Sequence, residues 1–159
     1  MNSISDEEFE AVLKTEDDLG MVIRVHLHVE YHLNQLLELL VPFPDGLKSV
    51  KLDFDNRVKL LGALRIKSEF TKIFSALGAM RNKFAHNLDY KLDKSNVINL
   101  YETLHFSDKE ILQNVYSNLR NNDEHKGLEP FKSLPPQGQF IVIALYIRQM
   151  VFRMIDEIK

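Results

Sequence analysis

Cysteine is absent from this chain of 159 residues, and its absence excludes several classes of function. Without a thiol there is no disulfide, no thiolate metal site and no cysteine nucleophile. Long apolar runs are also missing, because the longest, FIVIALYI at 140–147, is far shorter than the roughly 20 residues of a membrane span. The first ten residues, MNSISDEEFE, are acidic and lack an apolar h-region, so we expect no signal peptide. We therefore predict a cytoplasmic protein without membrane association.

The remaining composition is that of one ordinary globular domain. Hydrophobic residues make up 45% of the chain and charged residues 27%, which are usual values for a soluble protein. The length also corresponds to a single domain. We therefore treat residues 1–159 as one domain, with a core over roughly residues 19–158.

Charge is unevenly distributed along the chain. The net charge of −3 argues against a protein that coats nucleic acid in general. Residues 48–94 nevertheless carry eleven Lys/Arg against five Asp/Glu, a net of +6, whereas the remainder has a net of −9. A basic region of this kind suits an anionic ligand if its charges meet in space. If they do not meet, they simply decorate solvated helix faces, and both interpretations stay open.

Apolar residues recur at steps of three and four almost everywhere, which predicts helices. Ser5 and Glu8 have the spacing of a capping box at the start of the first helix. We predict further helices over about 19–41, 55–64, 68–84, 93–104, from a capping box at Ser107 and Glu110 onward, and from SLPPQG to residue 158. FIVIALYI is ambiguous because it is rich in β-branched residues, but its continuation into RQMVFRMIDEI favours a helix. The expected fold is all-α, a single-domain bundle of about six or seven helices with the second and fourth at its centre.

The most informative segment is AMRNKFAHNLDY, residues 79–90. Asn82 and His86 are four residues apart and share one helix face, and Arg81 lies beside that face. Phe84 lies roughly opposite and continues the apolar stripe. We therefore predict that Phe84 anchors this turn in the core, while the three polar side chains face a second surface.

The hexapeptide RNKFAH, residues 81–86, resembles the signature of the HEPN superfamily. In that signature an arginine, often followed by Asn, precedes a histidine with four to six residues between them. The resemblance also covers the helical layout over roughly 19–158, and it implies an HEPN-like fold. Many HEPN proteins are metal-independent ribonucleases and others are inactive binding modules. The resemblance further implies a two-fold homodimer in which two motifs face each other.

The residue types suit RNA cleavage by the ribose 2′-hydroxyl, which requires a base, an acid and positive charge on the phosphorane. Histidine exchanges protons near neutral pH and arginine holds phosphate oxygens. Our catalytic candidates are Arg81, His86 and Asn82, and our supporting candidates are Lys83 and Glu30. One motif supplies one imidazole, whereas acid and base need two, so the homodimer would supply the second.

The same residues also admit a purely structural interpretation. Arg81 can cap carbonyl groups or pair with Glu30 across the core. His86 can be favoured by the dipole at a helix C-terminus, and Asn87 can be the left-handed residue that ends the helix.

The layout is also similar to the mannitol operon repressor (MltR-like) family of small helical bacterial proteins. The shared features are an early helix with an internal glutamate, HVEYHLNQLLELL, and the segment DNRVKLLGALRIKSEF. Three functions therefore stay open. The first is a metal-independent endoribonuclease, such as a toxin paired with a nucleotidyltransferase-like antitoxin. The others are a non-catalytic transcriptional regulator that acts through protein partners and an RNA- or nucleotide-binding module.

One histidine pair has the spacing of a metal site. His28 and His32 lie four residues apart, a spacing at which two imidazoles can share zinc. Val29 stands where the metalloprotease pattern has glutamate, and no third ligand lies at a recognisable spacing. We therefore predict no metal and no cofactor.

Overall fold

The computed structural model describes residues 4–125 and 127–159. In these ranges the chain forms helices and no strand, which confirms the prediction of an all-α helical bundle. The seven α-helices are α1 (Asp6–Lys14), α2 (Asp18–Leu40), α3 (Phe54–Leu64), α4 (Ser68–His86), α5 (Lys94–Glu102), α6 (Phe106–Arg120) and α7 (Pro136–Ile158). Short 3-10 segments cover Pro44–Ser49, Asp123–His125 and Phe131–Ser133.

The two predicted capping boxes have different outcomes. At α1, Ser5 Oγ accepts the Glu8 N–H at 3.1 Å and Glu8 Oε2 accepts the Ser5 N–H at 2.8 Å, so the first box is confirmed. The box at Ser107 is wrong. The N-cap of α6 is His105, so Ser107 already lies inside the first turn. Its hydroxyl is 2.8 Å from His105 Nδ1 instead.

The centre of the bundle is formed by α2 and α7, which make the most extensive helix–helix contact. The prediction that α4 shares the centre with α2 is therefore wrong. Twelve of the 23 residues of α7 are buried, because its apolar residues cover more than one face and need neighbours on several sides. Helix α4 lies beside this pair and packs against α2 and α3.

Helix α7 is also long and apolar enough to cross a membrane by length and composition, the one such helix in the part of the chain that the structure describes. Of its most apolar window, 67% is buried inside the fold. The core helix of a soluble protein passes the same test, so this feature is weak evidence for a membrane span.

A buried arginine of α7, Arg148, links the N-terminal segment to helices α2 and α7. Arg148 is 3% exposed. Its Nε donates to Asp6 Oδ1 at 2.7 Å and its Nη2 donates to the carbonyl of Ile4. Its Nη1 lies 3.0 Å from Nε2 of His28. The Asp6 carboxylate compensates the buried charge, which would otherwise be costly, so α1 is held against α2 and α7.

We expect mild acid to destabilise the fold through His28. Burial first, and then the charges of His32 and Arg148, lower the pKa of His28 from 6.5 to about 4. Between these values the unfolded chain binds a proton that the folded chain does not. The free energy of unfolding should therefore decrease as the pH falls from 6.5 to about 4.

Urea unfolding across this pH window tests the expectation. His28→Gln removes the titrating ring, so the free energy of unfolding of this variant should depend less steeply on pH than that of the wild type. Equal pH slopes in the two proteins would show that His28 does not carry the effect.

Candidate functional site

The predicted motif occupies the last two turns of α4. Phe84 is 2% exposed, and its ring meets Tyr90 edge-on with centroids 4.8 Å apart, so its predicted core position is confirmed. The helix ends at His86, and Asn87 follows in an extended conformation with φ −142° and ψ 105°. The alternative in which Asn87 is a left-handed cap is therefore wrong.

Asn82 and His86 lie on the side of α4 opposite Phe84, as predicted, whereas Arg81 lies nearer to the apolar stripe, three residues before Phe84. Arg81 is half-buried, whereas Asn82, Lys83 and His86 are exposed. Nη1 of Arg81 donates a hydrogen bond to Oδ1 of Asn82 at 2.9 Å, so the two side chains act as one polar pair. His86 lies one turn beyond Asn82 on the same face, roughly 6 Å further along the helix axis.

Glu30 has a different partner from the one that the sequence suggested. Its Oε1 accepts a hydrogen bond from Nη1 of Arg57 at 2.6 Å, and Nη2 of Arg57 also donates to the carbonyl of Leu52 at 2.9 Å. The packing of α3 against α2 brings Arg57 onto Glu30. The alternative in which Arg81 pairs with Glu30 is therefore wrong.

An open groove of about 370 Å³ connects the motif with two other helices. A Cβ at Gly78 would lie 2.8 Å from Cδ1 of Phe54, so the absence of a side chain lets α3 approach α4 closely here. The groove is lined by His26, Asp53, Phe54, Asp55, Ser75, Gly78, Ala79, Arg81 and Asn82.

The charged groups of the groove differ in their partners. Asp53 Oδ1 accepts the N–H of Asn56 at 2.8 Å as the cap of α3, and Asp55 Oδ2 forms an ion pair with Lys59 at 2.6 Å. Arg81, by contrast, bonds to a neutral amide and makes no ion pair within the described ranges. Its positive charge is therefore available to an anionic ligand.

A residue of this groove that the motif did not reveal is His26. It is 1% exposed, its Nδ1 lies 4.0 Å from Oε2 of Glu30, and its Nε2 has no hydrogen-bond partner in the part of the chain that the structure describes. Burial first, and then the charge of Arg81, lower its pKa, so the ring is neutral at neutral pH. One indication of this position was present in the sequence. His26 is a polar residue within the apolar stripe of α2, four residues after Val22 and three before Val29.

The histidine pair of α2 lies outside this groove. The rings of His28 and His32 meet edge-on with centroids 4.5 Å apart. Nε2 of His28 is 3.0 Å from Arg148, and Nδ1 of His32 is 2.9 Å from the side-chain oxygen of Gln35. Over residues 4–125 and 127–159, no three or more His, Asp or Glu side chains are grouped to hold a metal ion.

The site is thus a polar pair, Arg81 and Asn82, at the edge of a groove that also contains a buried neutral imidazole. An exposed imidazole, that of His86, lies one turn beyond. Compared with models of protein families, with curated proteins and with solved structures, the chain matches none of them.

Proposed function

We propose that the protein is a metal-independent endoribonuclease of the HEPN kind, with a site built from Arg81, Asn82 and His86. One observation carries the proposal. The Arg81 guanidinium is held by the Asn82 amide at 2.9 Å at the edge of an open groove, with no carboxylate partner among the described residues. An oriented guanidinium of this kind binds phosphate oxygens through its planar fork.

Each residue has a distinct part in the reaction. Arg81 binds the phosphate and stabilises the negative charge of the phosphorane, and Asn82 orients the guanidinium. His86 gives a proton to the leaving oxygen, and the exposed Lys83 adds positive charge that attracts RNA. The 2′-oxygen forms a bond to phosphorus while the bond to the 5′-oxygen breaks. The products therefore carry a 2′,3′-cyclic phosphate and a 5′-hydroxyl.

The setting of the site also supports an anionic substrate. Helices α3 and α4 belong to the segment 48–94, whose net charge is +6 in a chain of net charge −3. A positive region increases the rate at which an anionic ligand is captured. The compartment that we propose is the cytoplasm, and the assembly is the homodimer implied by the resemblance to HEPN proteins.

The direct test is cleavage of labelled single-stranded RNA by purified protein in the presence of EDTA. We expect the wild type to cut the RNA and to leave 2′,3′-cyclic phosphate ends. DNA of the same sequence should stay intact, and so should RNA methylated on every 2′-oxygen, because neither offers the attacking hydroxyl. Cleavage that needs a metal ion, or that also cuts the DNA, would contradict the proposal.

The second candidate is a non-catalytic regulator that acts through a protein partner. It is favoured by the carboxylates of Asp53 and Asp55, which line the same groove as Arg81 and reduce its attraction for phosphate. A nucleotidyltransferase-like antitoxin is the partner that the HEPN resemblance implies. No cleavage of varied RNAs by the wild type would favour this candidate, and RNA binding without cleavage would favour a binding module.

A further inference from the structure

We propose that His26 supplies the second imidazole of the site from within the same chain, by accepting the proton of the RNA 2′-hydroxyl at Nε2. The inference rests on the proposed function, because it assigns the base of the same reaction. His26 lines the groove that contains Arg81 and Asn82. A single chain then holds a base, His26, in the groove that Arg81 also lines, and an acid, His86, at the end of α4.

Three connected polar groups lie next to the His26 ring. Nδ1 lies 4.0 Å from Oε2 of Glu30, and the Glu30 carboxylate is fixed by Arg57 at 2.6 Å. Arg57 is in turn anchored on the Leu52 carbonyl at 2.9 Å. A carboxylate opposite Nδ1 favours the tautomer with the proton on Nδ1, which leaves the lone pair on Nε2. A histidine oriented by a carboxylate is a recurring arrangement of catalytic bases.

The second observation is the unpaired atom itself. Nε2 of His26 has no hydrogen-bond partner in the described part of the chain, although the residue is 1% exposed. Buried polar atoms are nearly always hydrogen-bonded, because an unmade bond costs stability. A ligand hydroxyl that donates to Nε2 would satisfy this atom when the groove is filled.

The surrounding charges keep the ring in the form that a base requires. Burial is the largest cause of the lowered pKa of His26, Arg81 and Arg57 lower it further, and Glu30 opposes them. On the groove side, the ring of Phe54 packs against the imidazole with centroids 4.2 Å apart. Because Nε2 is shielded from solvent in the free protein, side chains around it must move before RNA can reach it.

The proton transfers balance over one turnover. Nε2 of His26 takes the proton from the 2′-hydroxyl while the bond between the 2′-oxygen and phosphorus forms. His86 gives a proton to the 5′-oxygen while the bond between that oxygen and phosphorus breaks. After the product leaves, His26 gives its proton to solvent and His86 takes a proton from solvent.

The first measurement is RNA cleavage by His26→Gln. We expect kcat to fall on the order of 10²–10⁴-fold, the usual contribution of a general base, with little change in KM because Arg81 still binds the phosphate. In the wild type, kcat/KM should decrease at acidic pH as His26 becomes protonated. The midpoint of this decrease should lie below pH 6.5, since the pKa of His26 is lowered from that value. The decrease should be absent in the variant. His32→Gln is the matched control, because His32 is a buried histidine of α2 that does not line the groove.

The second measurement uses the wild type, so it does not depend on the folding of a variant. Nitrogen NMR of the His26 ring is recorded during titration with uridine 3′-monophosphate, which carries a 2′-hydroxyl next to its phosphate. The 2′-deoxy analogue is the control. We expect the Nε2 resonance to move toward that of a hydrogen-bonded nitrogen with the ribonucleotide only.

The outcomes separate the inference from the proposed function. An Nε2 resonance that does not respond to the ribonucleotide overturns the inference. Equal cleavage rates for His26→Gln and His32→Gln would also overturn the inference. If Arg81→Ala is inactive in that case, the proposed function stands without His26. A wild type that cuts no RNA but shows the hydroxyl-dependent NMR response leaves His26 as a ligand contact and contradicts the ribonuclease.

Discussion

Replacing Arg81 with alanine should remove most RNA cleavage and leave the protein folded. The side chain lies at the edge of the apolar stripe, between buried Leu77 and Phe84, but it is only half-buried, so its loss should remove little core packing. The expected fall in kcat is on the order of 10²–10³-fold, the usual effect of losing one group that stabilises an oxyanion. Arg81→Lys keeps the charge without the planar fork, so it should recover part of the lost rate. Arg24→Ala on α2 is the matched control, because Arg24 is an exposed arginine that does not line the groove.

His86→Ala tests the acid of the same reaction. Its loss should reduce kcat on the order of 10²–10⁴-fold, and the protein should stay folded because His86 is exposed. Initial cleavage rates in EDTA are measured with circular dichroism as the folding control. Full cleavage by folded Arg81→Ala and folded His86→Ala would exclude this site as its source.

Phe84→Ala should have the largest effect on stability. The side chain is 2% exposed and packs on Tyr90, and truncation of a core phenylalanine costs about 3–5 kcal/mol. Asn82→Ala removes an exposed hydrogen bond to Arg81, so its effect should stay within about 0.5 kcal/mol. Neighbouring residues of one helix should thus differ greatly in what they contribute to folding.

Urea unfolding of both variants and the wild type measures this difference. Phe106→Ala is the matched control, because the same chemical change is made where the side chain is 67% exposed. It should lower the free energy of unfolding much less than Phe84→Ala. Equal losses for Phe84→Ala and Asn82→Ala would mean that the two faces of α4 are assigned incorrectly.

The helices could be predicted from the sequence because their determinants are local. The recurrence of apolar residues every three or four positions depends on neighbours within one turn. This recurrence correctly predicted helix α4 and the buried position of Phe84. The Ser5 capping box is equally local, since both of its hydrogen bonds join residues three apart. The box at Ser107 failed because an equally local pattern can lie inside a first turn when the helix begins earlier in the chain.

The partners of the charged and polar side chains were decided by the tertiary structure. Glu30 pairs with Arg57, 27 residues away, and no helical periodicity relates positions on two different helices. The same packing of α3 against α2 and α4 buries His26 and forms the groove. The sequence could place Asn82 and His86 on one face, with Arg81 beside it, because helical geometry is local. It could not place His26 beside them, because that proximity depends on how α2, α3 and α4 pack, and packing is set by contacts between residues distant in the chain.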